Sequence, residues 1–249
     1  MAGHSKWANI RHRKGRQDAK RSKVWSKCSR AIIVAAKNGG GDPAMNLTLR
    51  YAIDEAKAAN MPKDTIQKAV DKGAGDGDGA NYEEIRYEGY GPGGVAVMLD
   101  LLTDNRNRTA SEIRHLFEKY NGNLGATGCV AYMFEQKGEI YLEKSKIQEE
   151  ALMDLALEAG ADDIQDAGEA WHVTTSPGDY RAVREAIEGA GLEIDAGELA
   201  MVPDNHVAVT GKDVEKILTF IEMIEDHDDV QKLHHNAEIS GEEMAAAQG

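Results

Sequence analysis

Arg16, Lys20, Lys23, Lys27 and Arg30 recur at spacings of 4, 3, 4 and 3. On a helix turning about 100° per residue, that spacing lines five cations along one face. Such a row can neutralise successive phosphates and displace their counterions. Around it lie Lys6, Arg11, Arg13, Lys14 and Arg21, with His4, His12, Trp7 and Trp25. Trp7 can stack on an exposed base. Trp25 falls on the opposite stripe with Cys28, Ile32 and Ala35 and reads as core. The candidate nucleic-acid-binding residues are therefore Lys6, Trp7, Arg11, Arg13, Lys14, Arg16, Lys20, Arg21, Lys23, Lys27 and Arg30. The alternative is a solvated basic helix, but the length and near continuity of the run favour a polyanion partner. The pattern specifies neither groove nor sequence, nor DNA over RNA.

A second candidate is Asp104-Asn-Arg-Asn-Arg108-Thr109, a basic, amide-rich loop feeding a helix N-terminus. There Arg106 and Arg108 could converge with backbone N–H groups on phosphate. Equally, the two arginines could pair with the acidic body, and both readings stay open. Gly89-Tyr-Gly91-Pro-Gly-Gly94 satisfies a dinucleotide fingerprint on paper, but a strand follows it and Pro92 lies inside it, so a hairpin turn is expected. His227, His234 and His235 sit near Asp226, Asp228 and Asp229. On a strand, His234 and His235 would point to opposite faces, so no metal site is expected. Asp162-Asp163 and Asp228-Asp229 read as solvated strand ends. No P-loop, no nucleophile elbow and no paired acid and base occur, and the chain reads as a non-enzyme without a cofactor.

These residues need elements to position them. Residues 16–37 read as the two-faced helix, stopped by Asn38 and three glycines. Asp42-Pro43 reads as the N-cap and first turn of a second helix, whose apolar face is Leu49, Ala52, Ile53 and Ala56. Pro62 opens a third helix carrying Ile66, Ala69 and Val70, and Gly73 closes it. The Gly/Asp run over 74–80 reads as a flexible hinge. Beyond it, Tyr82–Tyr90 and Val95–Leu102 read as strands, and Thr109-Ala-Ser-Glu112 as the capping box of a helix. Val130–Phe134 and Glu139–Leu142 read as two short strands. From 139 to 202 the order is βαββαβ, a split βαβ. Lys212–Glu225 reads as a helix, Val230–Ile239 as a strand, and 242–249 as a frayed tail.

The expected class is α+β in three domains. Residues 1–73 form a basic arm and three-helix domain. Residues 81–135 and 204–241 form a discontinuous α+β domain, into which the ferredoxin-like unit at 136–203 is inserted.

Charge sharpens the division. The chain of 249 residues carries a formal net charge of -14, from 29 Lys and Arg against 43 Asp and Glu. Residues 1–73 alone are net +10, which leaves -24 on the remainder. A basic module on an acidic body points to a polyanion at the basic end. The longest apolar runs are far shorter than the roughly 20 residues of a membrane helix, and charges occupy the place of a signal peptide's apolar core. Cys28 and Cys129 stand apart without a CxxC partner and read as reduced thiols of a cytoplasmic, monomeric protein.

The segments MAGHSKWANI, RH, RK and QDAKR, then GGGDP, NMPKDTI, YEGYGPGG, DNRNRT and GNLG, with DDVQ at 228–231 and HNAEIS at 235–240, resemble the YebC/PmpR family in order along nearly the whole chain. The resemblance implies a helical N-terminal domain plus two α+β domains, one inserted in the other. Members are described as probable transcriptional regulators that bind DNA. A mitochondrial relative is a translational activator, and related bacterial proteins are linked to ribosomes stalled on proline-rich sequences. The resemblance thus implies DNA as partner or, alternatively, the ribosome and its rRNA, and supplies no catalytic residue, metal or cofactor. Two departures stand out. Gly15 replaces a frequent Ala and loosens the link between Arg11–Lys14 and the long helix, and the hinge is rich in glycine and aspartate.

Overall fold

The computed structural model describes residues 21–75 and 81–247. Lys6, Trp7, Arg11, Arg13, Lys14, Arg16 and Lys20 lie outside them, as does most of the expected hinge.

Helix α1 (Arg21–Gly39) packs against α2 (Leu47–Ala58) and α3 (Lys63–Ala74). Its apolar stripe seats Ile32, Ile33, Ala35 and Ala36 against Leu49, Ala52, Ala56, Ile66, Ala69 and Val70, with Trp25 and Cys28 half-buried at the margin. The Trp25 indole N–H donates to the Ala59 carbonyl at 3.0 Å. Burial, with the Glu55 charge nearby, pushes the Cys28 thiol up to about 11, so it carries little thiolate at neutral pH.

Two details differ from the sequence reading. Asp42 spends its carboxylate on the N–H of Ala44 at 2.9 Å, an Asx-type turn. The N-cap therefore falls to Asn46, whose side chain accepts from Leu49 N at 3.1 Å and donates to the Ala35 and Gly40 carbonyls at 2.8 Å. Gly73 lies within α3 instead of ending it. A Cβ there would stand 2.4 Å from the Ile33 carbonyl oxygen, so the glycine is what lets α3 approach α1.

Two four-stranded sheets follow. The first runs β3-β1-β2-β9, comprising β1 (Glu83–Tyr90), β2 (Ala96–Thr103), β3 (Asn123–Leu124) and β9 (Val230–His235). The Gly91–Gly94 segment is the hairpin turn between β1 and β2, with Gly93 and Gly94 at φ of 73° and 75°, a region open to glycine at little cost. Helices α4 (Arg106–Lys119) and α7 (Lys212–Glu225) cover one face, where Ile113, Phe117, Ile217 and Phe220 meet Val97, Leu99 and Leu233. The other face seats Ala96 and Met98 against Val130, Phe134 and Met201. Burial on both faces accounts for the almost unbroken apolar run of β2.

The second sheet runs β5-β6-β4-β7, with β4 at Phe134–Glu143, β5 at Ala161–Asp166, β6 at Ala170–Thr175 and β7 at Ala196–Pro203. Helices α5 (Glu149–Glu158) and α6 (Tyr180–Gly189) pack on it through Leu152, Ala156, Val183 and Ile187. This strand order is that of a split βαβ.

Several boundaries move. The first of the two short strands expected before residue 142 is instead a 3₁₀ turn at Ala131–Met133, and β4 is a single ten-residue strand. Buried Glu88 organises that turn by accepting from the N–H groups of Gly128, Val130 and Ala131 at 2.8–2.9 Å. The strand expected over 230–239 is broken at Asn236, whose side chain accepts from Ala96 N at 2.8 Å. Its second piece, β10 (Ala237–Glu238), pairs in parallel with β8 (Val207–Ala208). The tail is not frayed through 247. Helix α8 (Gly241–Ala247) buries Met244 in the first core, and Glu243 accepts from Gly211 N.

Lys232 on β9 ties the three parts together. Its ammonium reaches Glu55 of α2 at 2.9 Å, and Glu198 of β7 at 3.1 Å. Burial alone would make the proton easier to lose, but the two carboxylates hold the ammonium well above the ordinary lysine range.

Candidate nucleic-acid interface

The polar stripe of α1 emerges opposite its packing stripe, as the spacing requires, but its described cations do not face open solvent. They meet the turn between α7 and β9, residues 225–229. Lys23 Nζ stands 3.2 Å from an Asp226 carboxylate oxygen and 3.3 Å from one of Asp228. Lys27 Nζ donates to the Glu225 carbonyl at 2.6 Å. Arg30 donates to the Asp229 carboxylate at 3.2 Å and to the Asp228 carbonyl. The carbonyls at the end of α7 add the negative end of a helix dipole to this acidic turn. Arg21 is exposed at the start of the described helix.

The second candidate meets the same turn from the other side. Helix α4 begins at Arg106, three residues before the expected capping box. Its N-cap is Asn105, which accepts from Arg108 N at 3.1 Å. Arg106 and Arg108 thus occupy the first helical turn rather than a loop. Arg108 donates to Asp229 at 2.9 Å and to Asp104 at 3.1 Å, which is the pairing alternative left open above. Arg106 is exposed.

Asp229 is the hub. Its side chain is 5% exposed. One oxygen takes Arg30, and the other takes Arg108 and the Thr109 hydroxyl at 2.7 Å. Burial alone would raise its pKa, but the bonds from Thr109 and Arg108 outweigh it and hold the carboxyl below its usual value. The expectation that Asp228 and Asp229 form a solvated strand end therefore holds for Asp228 and fails for Asp229, because guanidiniums from two distant helices converge there.

Glu112, His227 and Asp229 bring three potential ligand atoms within 4.8 Å of one another. The Asp229 N–H donates to His227 Nδ1 at 3.2 Å, which places the imidazole proton on Nε2, 3.0 Å from Glu112. With Asp229 also holding two arginines, these donor atoms are committed to protein partners, and a divalent cation would have to displace them. Lys23, Arg30, Arg108, His115, His227 and Asp229 share the lining of one open cleft.

The acidic turn is the part of this site that sequence reasoning missed. The signal available was the run Glu225-Asp-His-Asp-Asp229, of sign opposite to the stripe. Its location beside α1 depends on contacts roughly 200 residues apart, which no local pattern reveals.

A helical unit ahead of two α+β sheets, with basic and acidic segments in contact, defines an architecture shared with known proteins. Residues 5–76 match the TACO1/YebC protein N-terminal domain, and residues 82–237 match the TACO1/YebC second and third domain. The chain belongs to the TACO1/YebC family. It is 53% identical over 241 residues to a protein of Pelotomaculum thermopropionicum, covering 96% of this chain and 99% of that one. It is 51% identical over the full length of both chains to one from Syntrophotalea carbinolica. Both relatives bear the name "Probable transcriptional regulatory protein". The crystal structure of a conserved hypothetical protein from Aquifex aeolicus superposes with a TM-score of 0.80 at 45% identity, covering 90% of this chain and 92% of the other. Among the described residues, no helix is long and apolar enough to cross a membrane.

Proposed function

We propose that this protein is a DNA-binding regulator of transcription, acting in the cytoplasm through its basic N-terminal region and without catalysis. The observation that carries this reading is the segregation of charge, net +10 on residues 1–73 against -24 on the rest. A duplex is drawn to one end and repelled by the other. The names borne by the relatives support a regulatory role. The contact residues are those of the arm and stripe, Lys6 through Arg30, with Arg106 as a second contact in preference to Arg108, which already serves Asp229. The pairing of β9 with β2 in the first sheet, with the strands of the second sheet lying between them in the chain, supports a discontinuous domain over 81–135 and 204–241 that holds 136–203 as an insertion.

The test is crosslinking in cells, with sequencing of the bound nucleic acid and sedimentation of the lysate. Recovery of promoter DNA is expected. Recovery with ribosomes and rRNA would overturn the DNA reading in favour of a translation factor using the same arm. In a parallel assay, replacing Arg11, Arg13 and Lys14 with Glu should weaken binding of a labelled duplex about tenfold or more near 100 mM salt, by removing up to three phosphate contacts. Unchanged affinity would remove the arm from the interface.

A further inference from the structure

We infer that the 225–229 turn is an internal phosphate mimic that occupies the α1 stripe and must be displaced when nucleic acid binds there. This rests on the nucleic-acid reading above and concerns how that site is regulated. The turn presents its oxygens as a phosphate backbone would. The Asp226 and Asp228 carboxylates face Lys23, the Glu225 carbonyl faces Lys27, and the Asp229 carboxylate and Asp228 carbonyl face Arg30. N–H donors that point into these oxygens cannot point at a phosphate at the same time, and the turn covers the approach to them, so turn and polyanion compete for the donors of Lys23, Lys27 and Arg30.

Exposure grades the turn into a fixed and a releasable part. Asp229 is buried and held independently by Arg108 and Thr109, so it anchors the turn to α4. Asp228 is 70% exposed and Asp226 about a third, and Lys23 likewise. Partly exposed pairs of this kind are weak and screened by salt. A polyphosphate offering several contacts at once can displace them. The turn therefore raises the threshold for binding without abolishing it, and favours partners with closely spaced phosphates over isolated anions.

The test uses the full-length chain with a fluorescein-labelled 20-base-pair duplex and a single-stranded RNA of the same sequence, followed by fluorescence anisotropy. Asp226→Asn with Asp228→Asn removes the releasable carboxylates and leaves Asp229 in place. This variant should bind at least threefold more tightly than wild type. A control with Glu149→Gln and Glu150→Gln removes the same charge from exposed positions on α5 and should show little gain. Equal gains in the two variants would reduce the effect to net charge and overturn the mimic. Binding by wild type with no gain in Asp226→Asn/Asp228→Asn overturns the mimic while leaving the nucleic-acid reading intact. Absence of binding by wild type and this variant overturns both. Hydrogen exchange supplies a readout that charge alone would not move. On binding, amides of residues 225–228 should exchange faster while those of 21–30 slow, and unchanged exchange at 225–228 overturns the displacement.

Discussion

Two aspartate pairs in this chain look alike on paper and behave differently in the fold. Asp162-Asp163 lies at the start of β5 on an edge of the second sheet, exposed. The Asp163 carboxylate accepts from its neighbours, the Ile164 N–H at 2.9 Å and the Gln165 amide at 2.8 Å. Asp228-Asp229 joins α7 to β9, and there the second carboxylate is buried among Arg30, Arg108 and Thr109. A carboxylate's worth is set by what converges on it from elsewhere in the chain. The Asp163 carboxylate is served by the next two residues of its own strand; on Asp229, side chains from two distant helices converge.

The sharpest way to break this comparison is Asp229→Ala. It leaves Arg30 half-buried without its carboxylate and removes one acceptor of the Thr109 hydroxyl, which should cost about 3 kcal/mol in urea denaturation. A loss below 1 kcal/mol would return Asp229 to the class of Asp163. A smaller effect is expected in acid. Asp229 has a folded-state pKa below its unfolded value. Asp100 is similar: burial opposes ionisation, but bonds from His234 and Arg86 outweigh it and bring it to about 2. A depressed carboxylate contributes stability that is fully present above the unfolded pKa of about 4 and is lost as pH falls through the folded value. Melting temperature should therefore drop between about pH 4 and pH 2, and Asp229→Asn should flatten that limb. The smallest effect belongs to Asp162→Asn with Asp163→Asn, expected within about 0.5 kcal/mol of wild type at neutral pH.

The same contrast shows what the sequence could reveal. Periodicity placed the three helices, the packing stripe of α1, the β1–β2 hairpin and the βαββαβ order, because each depends on neighbours a few residues apart. It failed where a distant group decides. Asp42 looked like an N-cap, but the buried niche below the Ala35 carbonyl selects Asn46. Thr109 looked like a capping residue, but Asn105 caps the helix and the Thr109 hydroxyl reaches Asp229 instead. The strand over 230–239 looked continuous, but Asn236 turns its amide toward Ala96. For the interface, helical spacing correctly grouped Lys23, Lys27 and Arg30 on one face. It gave no sign that an acidic turn from the far end of the chain lies against them.

The pairing of β2 with β9 has a consequence in time. β2 can complete its inner edge only when residues 230–235 exist, well over a hundred residues after its own synthesis. At ribosomal speeds of about 5–20 residues per second, that edge waits roughly ten seconds. During that interval an apolar strand of Val97, Met98, Leu99, Leu101 and Leu102 has an unpaired side, the kind of edge that recruits other strands. The carboxylate of Asp100 in the middle of this run, a charge that lacks its His234 partner until β9 arrives, discourages a stranger from pairing first.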